Sequence, residues 1–100
     1  MRVTYPTAIV LFAVSRGVRY GFDIMDTTGL HSGTVYPILR RLEDAGMVRS
    51  RWEAATKARD DQRPPRRYYQ VTGAGLSVVD AALERFPGLA GTLRGVAAPA

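Results

Sequence analysis

From Thr4 to Ser15 the apolar side chains Ile9, Val10, Leu11, Phe12 and Val14 run nearly all round a helical projection. A helix with that pattern is packed on most sides, which makes it a core element. Thr4 is placed to cap it, Pro6 suits its first turn and Gly17 stops it. A second, short helix opens at Tyr20-Gly21-Phe22-Asp23-Ile24-Met25 and ends near Thr28 and Gly29. Phe22, Ile24 and Met25 are expected to supply its buried side. A third helix is expected from about Gly33 to Ala45, with Ser32 as N-cap and Gly46 as C′ residue. Its stripe is the cleanest in the chain: Val35, Ile38, Leu39 and Leu42 fall at i, i+3, i+4 and i+7.

Beyond Gly46 the period changes from helical to two. Met47-Val48-Arg49-Ser50-Arg51-Trp52-Glu53 alternates apolar and polar positions as a half-exposed strand does, and Arg67-Tyr68-Tyr69-Gln70-Val71 is a second strand-like run. Residues 54–66 between them are polar, charged and carry Pro64-Pro65, which reads as the loop of a hairpin. Thr72 then caps a last helix, from about Gly73 to Phe86, which Pro87 stops. The tail rich in Gly, Ala and Pro reads as loosely ordered, with Leu89, Leu93 and Val96 leaving room for one weak turn.

Two short helices joined by a tight glycine-containing turn, followed directly by a charged hairpin, form a winged helix-turn-helix. The fold class expected is therefore mainly α with a small antiparallel β-hairpin, plus one C-terminal dimerisation helix. The chain divides into residues 1–72 as the winged helix-turn-helix, 73–87 as the dimerisation helix and 88–100 as a flexible tail. Leu76, Val79, Leu83 and Phe86 give the last helix an apolar stripe at a spacing near that of a coiled-coil seam. The first helix is expected to absorb part of that stripe and a second copy of the chain to cover the rest.

Charge sharpens the picture. The 100 residues carry a net charge of +5, which favours an anionic partner. From Arg49 to Arg67 there are seven cations against three carboxylates, so this stretch holds +4 of the total. That excess sits on the hairpin, beside the third helix, where Lys57, Arg59, Arg63, Arg66 and Arg67 are expected to meet phosphates. The exposed face of the third helix would show Ser32, Gly33, Thr34, Tyr36, Pro37, Arg40 and Arg41. Hydroxyls and arginines are suited to base edges and phosphates in a major groove, and the N–H groups at a helix N-terminus to a phosphate. Pro37 removes the hydrogen bond to Gly33, and a local bend is expected there. His31 reads as a turn residue. The ring of Trp52 is expected to pack at the root of the wing, and one of Tyr68 and Tyr69 to be core with the other exposed.

The chain has no cysteine and a single histidine, and it shows no Gly-rich phosphate loop and no cluster of metal ligands. No catalytic residue, cofactor or metal is expected, and an enzyme is the weakest class. The longest apolar run, Ala8 to Val14, is too short to span a bilayer, so a cytoplasmic location with no membrane partner is expected. The alternative to a DNA-binding regulator is a winged-helix module that binds protein, which the fold permits.

Several blocks in order resemble the PadR family of transcriptional regulators. They are Tyr20-Gly21-Phe22-Asp23-Ile24, the run Ser32-Gly33-Thr34-Val35-Tyr36-Pro37-Ile38-Leu39-Arg40-Arg41-Leu42-Glu43, Gly46-Met47-Val48, Arg51-Trp52-Glu53, and Arg67-Tyr68-Tyr69-Gln70-Val71-Thr72-Gly73-Ala74-Gly75. The resemblance implies a homodimer on a near-palindromic operator in double-stranded DNA, usually as a repressor. It implies DNA contacts from Ser32, Gly33, Thr34, Tyr36 and Arg40, with basic residues added by the wing. Some members of the family release DNA on binding small compounds. Here only one helix follows the wing, as in short-tailed members, which speaks against a large effector pocket at the dimer interface.

Overall fold

The computed structural model describes residues 2–93. Five helices and one hairpin follow in the order α1 (Tyr5–Ser15), α2 (Gly21–Thr28), α3 (Ser32–Asp44), β1 (Val48–Trp52), α4 (Ala55–Asp60), β2 (Arg67–Val71) and α5 (Gly73–Arg85), with a 3₁₀ turn at Leu89–Gly91. The expected class, mainly helical with a two-stranded antiparallel sheet, is the one observed.

Helix α1 is the centre of the core. Every residue from Thr7 to Val14 is buried, as its all-round apolar pattern requires. Helices α2, α3 and α5 and strand β2 all pack against it. Both α1 and α3 end in the same device. At α1 the Val18 amide bonds the Ala13 carbonyl and the Gly17 amide bonds that of Val14; at α3 Met47 bonds Leu42 and Gly46 bonds Glu43. Gly17 and Gly46 take the left-handed conformation this closure needs, at φ 90° and 75°.

The strands pair with Val48 opposite Val71, Ser50 opposite Tyr69 and Trp52 opposite Arg67. Tyr69 is in the core and Tyr68 is half-buried. The α1–α2 link joins the sheet, because the Tyr69 amide bonds the Arg19 carbonyl at 2.9 Å. Thr72 locks α5 onto the hairpin. Its hydroxyl accepts from the Gly75 amide at 3.1 Å and donates to the Gly46 carbonyl at 2.6 Å. A β-carbon on Gly75 would lie 2.1 Å from the Met47 carbonyl oxygen, so only glycine permits this approach.

Five expectations are corrected. His31, not Ser32, is the N-cap of α3: its backbone is extended and its carbonyl accepts from the Thr34 and Val35 amides, which makes Ser32 the first helical residue. Residues 54–66 are not all loop, because Ala55–Asp60 forms α4, with Ala58 buried. Phe22 is 74% exposed, since α2 turns Gly21, Ile24 and Thr27 inward instead. Trp52 is 68% exposed and does not pack into the wing root. Leu89, placed in a loose tail by the sequence, is fully buried in the core. Val96 lies outside the described residues.

Candidate nucleic-acid interface

Helix α3 has two unlike sides. Val35, Ile38, Leu39 and Leu42 are buried, while Ser32, Gly33, Thr34, Tyr36, Pro37, Arg40 and Arg41 are all exposed. The helix runs through Pro37 without interruption. Arg40 and Arg41 make no ion pair among the described residues. Tyr36 is positioned by α2. A β-carbon on Gly21 would meet the Tyr36 ring at 2.4–2.6 Å, so the ring lies directly on the Gly21 backbone. Gly21 and Tyr36, distant in sequence, therefore form one packing unit at the start of α2.

The wing is held to this unit by a buried carboxylate. The Glu53 side chain is 3% exposed. It accepts from the Arg63 guanidinium through both oxygens, from the Arg66 amide at 3.1 Å and from the Tyr20 hydroxyl at 3.2 Å. The Arg63 hydrogen bonds, against the desolvation that opposes them and with help from the Arg66 amide and Tyr20, hold the Glu53 carboxyl at about 2. The same pairing raises Arg63 above its ordinary value. Nothing in the sequence pattern marks this node: strand alternation puts Glu53 on the solvent side with Arg49 and Arg51.

The expected wing cations consequently separate into two groups. Lys57 and Arg59 lie on α4, exposed and without an ion pair among the described residues. Arg63 is bound to Glu53 and, at 3.0 Å, to Asp61. The guanidinium of Arg66 stacks 4.1 Å from the Tyr20 ring centroid. Arg67 bonds Glu43 of α3 at 3.0 Å and Ser50 at 2.6 Å. The Ser50 hydroxyl donates to Glu43 and, with Arg67, lowers that carboxyl below its ordinary value.

Residues 10–81 match the family described as the PadR-like transcriptional regulators. The chain belongs to that family. Solved structures agree on the fold. The protein smu.1704 from Streptococcus mutans UA159 is 26% identical with a TM-score of 0.70, over 87% of this chain and 82% of that one. A PadR-like transcription factor from Bacteroides fragilis is 26% identical with a TM-score of 0.68, over 83% and 81%. A PadR family transcription regulator from Clostridium difficile R20291 shares the fold, with a TM-score of 0.72 at 19% identity over 84% and 88%. No curated protein matches the sequence. PadR-like regulators bind DNA, so DNA is the partner class of this chain and transcriptional regulation its activity.

The candidate dimer residues of α5 have unequal surroundings. Val79 is buried in its own chain's core and Phe86 packs edge-on against Tyr5 at 5.3 Å between centroids. Leu83 is half-buried and Leu76 is 49% exposed. Beside them an open apolar groove runs between the N-terminal segment and α5, lined by Val3, Val78, Ala81 and Phe86 with Arg2 and Arg85 at its rim. No helix among the described residues is long and apolar enough to cross a membrane.

Proposed function

We propose that this PadR-like protein is a cytoplasmic repressor that binds a near-palindromic operator as a homodimer. The observation that carries the reading is the outer face of α3, where Arg40 and Arg41 stand exposed and without ion pairs among the described residues. Arg40, Arg41, Thr34 and Tyr36 enter the major groove. The Ser32 and Gly33 amides, which have no backbone partner among the described residues, take a phosphate at the helix N-terminus. Lys57 and Arg59 contact the flanking backbone. Arg66 and Arg67 reach it from the wing root, and Arg63 holds the wing in place. Leu76, Leu83 and the exposed edge of Phe86, over the buried Val79, form the α5 part of the dimer contact. Two α3 helices then lie about one DNA turn apart. An effector is not required by this reading.

Selection of bound fragments from a genomic DNA pool at moderate salt tests the proposal. A recovered palindrome supports both specific binding and the dimer. Enrichment of no sequence, together with capture of a protein partner, favours the protein-binding module. Arg40→Ala is expected to relax discrimination at one position of each half-site, and unchanged specificity in that variant would remove α3 from the groove.

A further inference from the structure

Two large aromatic rings face solvent on a protein whose other apolar side chains are mostly packed: Phe22 at the start of α2 and Trp52 at the end of β1. They line one cleft of about 230 Å³ with Tyr36, Tyr69, Arg66 and Arg67. Strand alternation explains the placement. Val48, Ser50 and Trp52 share one face of β1, opposite Val71, Tyr69 and Arg67. Val48 and Tyr69 belong to the core, so Trp52 continues the core-facing side of the sheet past the edge of the helical body. Across the cleft Tyr36 stands one turn before Arg40 on the outer face of α3. The cleft is thus continuous with the surface assigned to DNA, and its two guanidiniums are partly neutralised, Arg66 lying 3.9 Å from Glu53 and Arg67 3.0 Å from Glu43.

We infer that this cleft seats one sugar–phosphate unit of bound DNA, with Trp52 and Phe22 packing on the deoxyribose and Arg66 and Arg67 facing the phosphate. The inference rests on the DNA-binding reading of α3 and the wing. Three observations favour this occupant. Deoxyribose is the apolar part of the backbone and phosphate the anionic part, which matches aromatic walls with a guanidinium rim. The cleft is smaller than the few hundred Å³ usual for a drug-sized ligand. Stacking on a base would require unstacking a step of the duplex, which a sugar contact avoids.

Trp52 is the one tryptophan in the sequence, so its fluorescence reports on the cleft alone. The full chain is titrated with fluorescein-labelled genomic duplex at low salt. Anisotropy reads binding, and acrylamide quenching of Trp52, repeated with unlabelled duplex, reads occupancy of the cleft. Saturating duplex is expected to shield Trp52 from acrylamide. Trp52→Ala and Phe22→Ala should each weaken binding about tenfold, because apolar contact is lost, and the dependence on salt should not change, because no phosphate charge is given up. Trp52→Phe should restore most of the affinity. Both rings are exposed, so circular dichroism of the alanine variants should match wild type. A duplex that binds while Trp52 remains as quenchable as in the free protein overturns the cleft contact and leaves the α3 reading standing. Wild-type affinity in Trp52→Ala does the same. No anisotropy change at low salt overturns both.

Discussion

The sharpest test of the interface compares cations that the sequence treats as equivalent. Lys57 and Arg59 are exposed on α4 with no ion pair among the described residues. Arg63 is 23% exposed and bound to Glu53 and Asp61. Each phosphate that a protein neutralises contributes about 0.9 to the slope of log K against log salt, so Lys57→Ala/Arg59→Ala should lower that slope by about 1.8 per chain. Over a fourfold rise in salt, the double variant should lose about tenfold less affinity than wild type, and in a symmetric dimer about a hundredfold less. Arg63→Ala should leave the slope unchanged and lower the melting temperature, because it strands a buried carboxylate without its main partner. Fluorescence anisotropy on one duplex at several salt concentrations, with a thermal melt of each variant, measures both quantities. A slope reduced by about 0.9 in Arg63→Ala with an unchanged melt would place Arg63 on the phosphates and refute the division.

Other variants test the fold that carries this interface. The folded Glu53 carboxyl sits at about 2 against an ordinary 4.5, so its contribution is full above about 4.5 and is lost as pH falls toward 2. Glu53→Gln should melt below wild type at neutral pH, with the two melting curves converging near pH 2; parallel curves would exclude the node. Gly75→Ala drives a methyl into the Met47 carbonyl and should cost about 1–3 kcal/mol in chemical denaturation. Leu89→Ala empties a fully buried site beyond Pro87 and should cost about 2–5 kcal/mol, whereas a loose tail would cost nothing. Gln62 holds φ 55° where glycine is preferred, so Gln62→Gly should stabilise by up to about 1 kcal/mol, read as a small rise in melting temperature.

What was legible in the sequence follows from where its signals are strong. The α3 stripe and the strand alternation report burial directly, so α3, β1 and β2 appear within a residue or two of their observed bounds. Glycine marks the helix stops at Gly17, Gly29 and Gly46, all left-handed. Helix α4 escaped because its stop carries no such mark. The Gln62 amide bonds Arg59 and the Arg63 amide bonds Ala58, the same closure that ends α1 and α3, but the left-handed residue is glutamine. Phe22 misled because hydrophobicity alone selects it for the core. The Tyr36 ring occupies the space over Gly21, so α2 rotates to turn Gly21, Ile24 and Thr27 inward, and Phe22 lies about 100° away.

The charge run is the deeper case. A count of cations fixes the field around the wing but cannot say which of them already has a partner, since pairing depends on contacts distant in sequence. Glu53 meets Tyr20 from the α2 cap, Arg63 from the end of the α4 loop and the Arg66 amide at the entry to β2. Three segments converge on one carboxylate, and Arg67 adds a second tie by reaching Glu43 on α3 itself. On the hairpin the core reaches Val48 and Tyr69, and beyond them the wing is tied to the helix-turn-helix by polar contacts of Glu53, Arg66 and Arg67 with Tyr20 and Glu43. The arginines that fix this geometry are partly neutralised by it. Lys57 and Arg59 on α4, which make no ion pair among the described residues, are the wing cations left for the phosphate contacts of the proposed reading.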